Sequence, residues 1–304
     1  MILFASSGFE SVAQALRERI SRLQPGQFAP GRFDNGELKI EVETPVKGEP
    51  CFVLASIAPP DARLVSTLLL AHTLRKEGAG QVTGILPYLA YSRQDKDKPK
   101  QSLAVAWTGS LMQASGFDRV ITIDVHSPEN QRLFPIPLSS LSPARIFAGA
   151  LQENNLTQAT IIAPDEGAIG RCEAIRAAAG LPKEPVPYFE KRRTETGIVH
   201  SRFIGEIGVQ AVLVDDILDT GATLVSACQR LYCAGVEDIQ IMITHGLFTG
   251  TEWQGLWELG VSRIFCTDTV PLPAGTDASR IVTLSAIPLL AEALNGAAEM
   301  AGAR

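Results

Sequence analysis

Apolar positions along the chain fall into two alternating rhythms. Short unbroken runs read as buried strands, and longer stretches with apolar residues three and four apart read as helices. The first run is Ile2–Ala5, and residues 11–23 follow it at helical spacing. Leu38, Ile40 and Val42 alternate with Lys39, Glu41 and Glu43, the signature of a half-exposed strand. Just before it, Arg32-Phe-Asp-Asn-Gly-Glu37 carries the Asn-Gly chemistry of a turn. Residues 51–57 form a buried strand. Leu64, Leu68, Ala71 and Leu74 mark a helix that Gly78 and Gly80 close. Residues 82–86 form the next strand, ending in Pro87-Tyr-Leu-Ala-Tyr-Ser-Arg-Gln-Asp95. A helix over 103–115 stops at Gly116, and a strand over 120–125 ends in Asp124-Val-His126.

After a Pro-rich loop at 128–143 the pattern starts again. A helix leads to a strand at 161–163, the loop Pro164-Asp-Glu-Gly167 and a helix to Ala179. A strand near Val186, a charged loop and a strand at 211–214 closed by Asp215 and Asp216 come next. Strands at 239–243 and 264–266 and a closing helix over 288–299 complete the chain. This alternation predicts an α/β fold with two doubly wound, mostly parallel sheets. A length of 304 residues suits two domains. The boundary is expected near Pro143, giving domains 1–143 and 144–304, with the last helix packing on the first domain.

Composition is that of an ordinary globular protein and changes this picture little. A net charge of −6 without a long basic block argues against nucleic acid as the main partner. The five cysteines are odd in number and scattered among apolar neighbours, which suggests reduced, buried thiols in a cytoplasmic protein. Residues 1–9 lack a cationic region, and 281–294 is too short to span a bilayer and contains Pro288, so no membrane association is expected.

The chemistry concentrates at Val212-Leu-Val-Asp-Asp-Ile-Leu-Asp-Thr-Gly-Ala-Thr223. A strand, a tight loop and a helix N-terminus in that order make a phosphate cradle. Free backbone N–H groups and the positive dipole end face the anion, and Gly221 lets the backbone approach it. Thr220 and Thr223 add hydroxyls beside Ala222. The acids Asp215, Asp216 and Asp219 suit vicinal hydroxyls or a hydrated magnesium ion. Phosphate and hydroxyls together describe a pentose phosphate. The plainer alternative is that Asp219 and Thr220 cap a helix while Asp215 and Asp216 are solvated.

Three other clusters stand out. Lys191-Arg192-Arg193-Thr-Glu-Thr-Gly197 reads equally as a mobile cationic arm for a polyphosphate transition state or as a solvated charge run. His126, closing a strand with Asp124, is a metal ligand, a phosphate partner or a capped structural residue. Tyr91-Ser-Arg93-Gln94-Asp95 places a cation, an amide and an acid in a row at a strand end.

Taken together, these strings resemble the ribose-phosphate pyrophosphokinase family in collinear order from about Gly31 to about Gly250. The 212–223 string on its own is shared with type I phosphoribosyltransferases, and the resemblance implies that both domains have the phosphoribosyltransferase-like fold. It further implies transfer of a diphosphoryl group from ATP to ribose 5-phosphate, with magnesium. Lys191 and Arg193 then correspond to the catalytic pair, and His126 and Asp165 to metal positions. Asp215, Asp216 and Asp219 to Thr223 correspond to the ribose 5-phosphate site. Arg93, Gln94 and Asp95 resemble the string that grips ATP. Phe33, Asn35, Gly36 and Glu37 resemble an adenine-contacting turn supplied by a neighbouring subunit. The resemblance therefore also implies a homo-oligomer (dimer, tetramer or hexamer) with shared sites. Its rivals are a phosphoribosyltransferase that consumes the diphosphate and a non-catalytic regulatory homologue. Some residues depart from the family pattern: Asn35 stands where Asp is usual, Ala168 and Ala222 stand where Gly is usual or frequent, and 96–109 differs from the usual basic stretch. The last departure puts ADP inhibition and phosphate activation in question.

Overall fold

The computed structural model describes the backbone of residues 1–194 and 197–302 and the side chains of 1–190 and 202–296. The chain divides into two compact units, one of Met1–Leu141 with Ile287–Arg304 and the other of Ser142–Ala286.

In chain order the first unit contains β1 (Ile2–Ala5), α1 (Glu10–Arg19), β2 (Gln24–Pro25), β3 (Phe28–Arg32), β4 (Leu38–Val42) and β5 (Pro50–Leu54). It continues with α2 (Ala62–Lys76), β6 (Gln81–Ile85), α3 (Ala104–Ala114), β7 (Arg119–Ile123), α4 (Glu129–Leu133) and β8 (Leu138–Leu141). Six strands form a parallel sheet in the order β2-β1-β5-β6-β7-β8. The chain steps from β1 to one side and then, from β5 on, to the other. That reversal makes the C-terminal edge of β1 and β5 a topological switch point, where open α/β sheets bind ligands. The unbroken apolar runs of β5 and β7 are buried, as strands covered on both faces must be. β3 and β4 form a separate antiparallel hairpin in which β4 alternates between half-buried and exposed positions.

The second unit contains α5 (Ala144–Glu153), β9 (Thr160–Ile162), a 3₁₀ turn (Glu166–Ala168), α6 (Ile169–Ala178), β10 (Tyr188–Thr194) and β11 (Gly197–Ile204). β12 (Gln210–Leu218), α7 (Ala222–Cys233), β13 (Asp238–Gly246), a 3₁₀ segment (Glu252–Leu259), β14 (Val261–Thr267) and β15 (Ile281–Leu284) follow. Its parallel sheet runs β15-β14-β13-β12-β9. Beyond β9, Ala163 bridges Tyr188 in parallel, its N–H donating to the Pro187 carbonyl at 2.9 Å. The chain therefore leaves β9 on one side and returns on the other as β12, which creates a second switch point. Along β12 the side chains divide between two cores: Ala211 and Leu213 join one, Val212 and Val214 the other. The final helix α8 (Ile287–Gly302) belongs to the first unit, where it packs against α1 and the Asn295 carbonyl accepts from Arg22 Nη2 at 3.3 Å.

Four expectations need correction. The Pro-rich stretch 128–143 is not all loop but contains α4 and the edge strand β8. With one neighbour only, β8 tolerates Ser139 and Ser140 and so hides its periodicity. The strand expected near Val186 is β10, and the expected charged loop lies on it: Lys191, Arg192 and Arg193 pair with His200, Val199 and Ile198 of β11. A two-stranded hairpin is held by backbone pairing and needs no apolar run. β12 does not stop at Val214 but carries Asp215 and Asp216 inside it. Cys233 is exposed, whereas the other four thiols are buried; all five cysteines are free. Burial pushes the thiol of Cys172 up to about 12 and those of Cys51 and Cys266 up to about 11. Among the described residues no helix is long and apolar enough to cross a membrane.

Candidate active site

The ladders around β12 explain how the acids are presented. Pairing with β9 ends at Leu213, but pairing with β13 continues to Leu218. Residues 215–218 thus project past β9 with a neighbour on one side only. Asp216 is buried, and its N–H donates to Asp215 Oδ1 at 2.9 Å. Arg171 on α6 stands 3.9 Å from Asp216 Oδ2. Burial first, and then the adjacent Asp216 charge, hold the Asp215 carboxyl well above the usual carboxylate range, with Arg171 opposing the shift. Asp165 adds a smaller effect in the same direction.

Beyond Leu218 the loop 219–223 is braced from the next strand's exit. The Leu218 carbonyl accepts from Leu247 N–H at 2.8 Å and Phe248 N–H at 3.1 Å, and the Asp219 carbonyl accepts from Thr249 N–H at 3.0 Å. Gly221 sits at φ 88°, and a Cβ placed there would meet the Cα and Cβ of Trp253 at 2.8 Å. The Gly221 carbonyl takes the first helical bond, from Val225 N–H at 2.8 Å. Gly221 is the N-cap residue and has no side chain with which to cap the helix, so the amides of Ala222, Thr223 and Leu224 open α7 at its positive end. Thr220 is exposed and Thr223 half-buried. An anion on this loop with hydroxyls toward Asp215 and Asp216 matches the chemistry of the group.

Asp165 ends the short loop after β9 and caps the 3₁₀ turn, its Oδ1 accepting from Gly167 N–H at 2.9 Å. Its charge acts on Asp215 only as the smallest of the effects there. Among the described residues no group of three or more His, Cys, Asp or Glu side chains gathers as a metal cage. Magnesium retains waters and uses one or two carboxylates with substrate phosphates, so single carboxylates such as Asp165 are of the kind that holds it and no such cage is needed.

In the first unit, loop 87–95 leaves β6 with Tyr91 at φ 65°. The Tyr91 hydroxyl donates to Asp61 Oδ1 at 2.5 Å, and its ring meets Trp107 edge-on at 6.3 Å. Ser102 Oγ donates to Gln94 Oε1, and the Gln94 carbonyl accepts from Val105 N–H at 3.4 Å. Asp95 is buried, accepting from Ser127 Oγ. Arg93 and Gln94 remain exposed between these ties. His126 is exposed just beyond β7, where Asp124 takes φ 46° and Val125 N–H donates to Ser140 Oγ at 3.1 Å.

The hydrogen bond to Asp61, with smaller contributions from burial and the Asp61 charge, pushes the Tyr91 phenol up to about 12. Ultraviolet titration of Asp61→Asn should bring one tyrosine back to about 10, the ordinary phenol value. An unchanged titration curve would disprove the tie.

At the tip of the β3–β4 hairpin, Phe33 N–H donates to the Glu37 carbonyl at 2.9 Å and Glu37 N–H to Asn35 Oδ1 at 3.1 Å. Gly36 takes φ 89°, and Phe33 is 55% exposed with Lys39 Nζ 5.7 Å from its ring centroid. The structure thus gathers residues 215–223 and 165 in one unit and 91–95 in the other, with the Phe33–Glu37 turn closed on itself. The side chains of Lys191 and Arg193 lie outside the described residues. Sequence reasoning missed Arg171, Asp61, Ser102, Ser127 and Trp253. Only Asp61 carried a signal, an acid directly before a helix and after two prolines. His245 is buried, with Nδ1 2.9 Å from Thr269 Oγ1.

Two parallel α/β sheets, one ending in an acid pair and a glycine-opened helix N-terminus, define the phosphoribosyltransferase-like class. Residues 1–116 match the family model described as the N-terminal domain of ribose phosphate pyrophosphokinase, and residues 183–299 that of the phosphoribosyl synthetase-associated domain. The chain is 32% identical over 294 residues to ribose-phosphate pyrophosphokinase of Corynebacterium glutamicum, covering 94% of this chain and 88% of that protein. It is 28% identical over 302 residues to the Bacillus caldolyticus protein of the same name, covering 98% and 95%. The crystal structure of phosphoribosylpyrophosphate synthetase from Mycobacterium smegmatis superposes with a TM-score of 0.87 at 26% identity, over 98% of each chain. The chain belongs to the ribose-phosphate pyrophosphokinase family.

Proposed function

We propose that the protein transfers the β,γ-diphosphoryl group of ATP to the 1-hydroxyl of ribose 5-phosphate, giving 5-phosphoribosyl 1-diphosphate and AMP. The bond from O1 to the β-phosphorus forms, the bond from that phosphorus to the α,β-bridging oxygen breaks, and the hydroxyl proton is released. The observation that carries this reading is the strand that carries Asp215 and Asp216 and leads through loop 219–221 into the glycine-opened N-terminus of α7. Amides 222–224 with Thr220 and Thr223 hold the 5-phosphate, and Asp215 and Asp216 accept from the ribose hydroxyls. Arg93, Gln94 and Asp95 form the nucleotide loop, and the exposed Phe33 turn, with Asn35, Gly36 and Glu37, reaches the adenine of a neighbouring subunit. Lys191 and Arg193 stabilise the transferring group by charge. His126 would hold the magnesium that accompanies the nucleotide, and Asp165 would serve a second position. When bound, magnesium neutralises charge developing on the phosphoryl oxygens.

The test is AMP release from ATP with and without ribose 5-phosphate and magnesium. Release that needs both, matched one-to-one by 5-phosphoribosyl 1-diphosphate, is expected. Pyrophosphate release from that diphosphate with a nucleobase and no ATP would make the protein a transferase. No AMP with any nucleotide or pentose phosphate would make it a non-catalytic homologue.

A further inference from the structure

The loop to which the proposed function assigns the 5-phosphate is fastened by residues 247–249, and the middle one is strained. Phe248 takes φ 49°, a left-handed conformation that a bulky residue keeps only where its surroundings impose it. The turn puts three successive backbone N–H groups to use. Those of Leu247 and Phe248 donate to the Leu218 carbonyl at 2.8 and 3.1 Å, and that of Thr249 donates to the Asp219 carbonyl at 3.0 Å. Rotating Phe248 back to a negative φ would swing the Thr249 N–H away relative to the other two. The buried Phe248 ring holds the turn, and it is clamped on two sides. On one side is Gly246, where a Cβ would run into the ring. On the other is the Trp253 indole, edge-on at 4.9 Å and 67°. Trp253 is itself buried, with Nε1 donating to the Gly250 carbonyl at 3.2 Å, and its backbone walls Gly221. One residue of the 3₁₀ segment therefore bears on both ends of 218–221, through Phe248 on Leu218 and Asp219 and directly on Gly221.

We infer that Trp253 is a positioning residue for the sugar phosphate: its ring locks Phe248 in the left-handed turn, and that turn sets where loop 219–223 offers its amides to the 5-phosphate. The inference rests on the assignment of the 5-phosphate to this loop. Trp253 acts through Phe248 and Gly221 and touches no reacting group. A smaller apolar side chain at 253 gives the Phe248 ring room to turn, the backbone relaxes toward negative φ, and the bond to Asp219 is lost. The cost falls on the sugar phosphate alone, because the nucleotide loop 87–95 belongs to the other unit.

The experiment compares Trp253→Leu, Trp253→Phe and Trp257→Leu with the wild-type chain. Initial rates are measured with sugar varied at saturating ATP and with ATP varied at saturating sugar, and Tm is recorded for each variant. Trp257 is the control. It lies four residues further along the same segment, 6.1 Å from the Trp253 ring and with the Arg280 guanidinium 4.1 Å from its own, so its loss removes packing without freeing Phe248. Trp253→Leu should raise the KM for ribose 5-phosphate about tenfold, the effect of a loop displaced by less than about 1 Å. Its KM for ATP should stay near wild type. Trp253→Phe keeps a ring edge against Phe248 and should recover most of the sugar affinity. Trp257→Leu should lower Tm and leave both KM values near wild type. Should Trp253→Leu fail to fold, Phe248→Ala carries the same expectation, since it removes the clamped ring and keeps the three N–H groups. A wild-type KM for sugar in Trp253→Leu would overturn the inference. An equal rise in Trp257→Leu would overturn it too, marking lost stability as the cause. Gly221→Ala separates this failure from that of the proposed site. If it weakens the sugar while Trp253→Leu does not, the inference fails alone; if neither variant weakens the sugar, the loop is not the phosphate site and both fail.

Discussion

Gly221→Ala should lower kcat/KM for ribose 5-phosphate by roughly 10²–10³-fold while leaving the KM for ATP near its wild-type value. Two independent constraints fall on this residue. At φ 88° an L side chain costs about 1–2 kcal/mol. The added Cβ would also lie 2.8 Å from backbone and side-chain atoms of Trp253, which is itself packed at 4.9 Å from Phe248. Trp253 has no room to retreat, so the loop must move. The amides that open α7 then leave the anion by a fraction of an ångström or more, and misplacement of about 1 Å is enough for a hundredfold loss. Initial rates with sugar varied at saturating ATP measure the effect. An alanine variant with the wild-type KM for sugar would rule out this loop as the phosphate site.

Asp215→Asn should separate activity from stability. The carboxylate is the better acceptor for ribose hydroxyls, so its loss should reduce kcat/KM by about 10–100-fold. Stability should move the other way. Burial and the neighbouring Asp216 raise the folded-state pKa of Asp215 above its unfolded value. Such a group costs nothing at a pH below the unfolded pKa; the penalty grows between the unfolded and folded values and persists above them. In metal-free buffer the Asn variant should therefore melt above the wild type at neutral pH. The gap should close as pH falls below the ordinary carboxylate range. A variant that melts lower at pH 7 would show that the charged pair contributes favourably and that the sign of the shift is wrong.

What was legible in the sequence followed from the physics of each element. Central strands carry unbroken apolar runs because both faces are covered, so β5, β6, β7, β13 and β14 were visible from composition alone. β8 and β15 lie at sheet edges, where polar residues cost little, and they were absorbed into loops or neighbouring stretches. The cationic run at 191–193 looked like a loop because three successive cations show none of the apolar–polar alternation that marks β4. The phosphate loop was readable because glycine, threonine and aspartate have local reasons to be there. Trp253 and Ser102 act on those loops from elsewhere in the chain, and nothing in their local strings announces it.

The placement of α8 has a consequence for the order of synthesis. The first unit is made of residues 1–141 and 287–304, so its last helix leaves the ribosome after the whole of the second unit. Domains usually fold as they emerge, N-terminal first. In this chain the second unit can be completed while the first still waits for the helix that covers α1. During that interval α1 is uncovered on the nascent chain, and the first-made unit is the last to be finished.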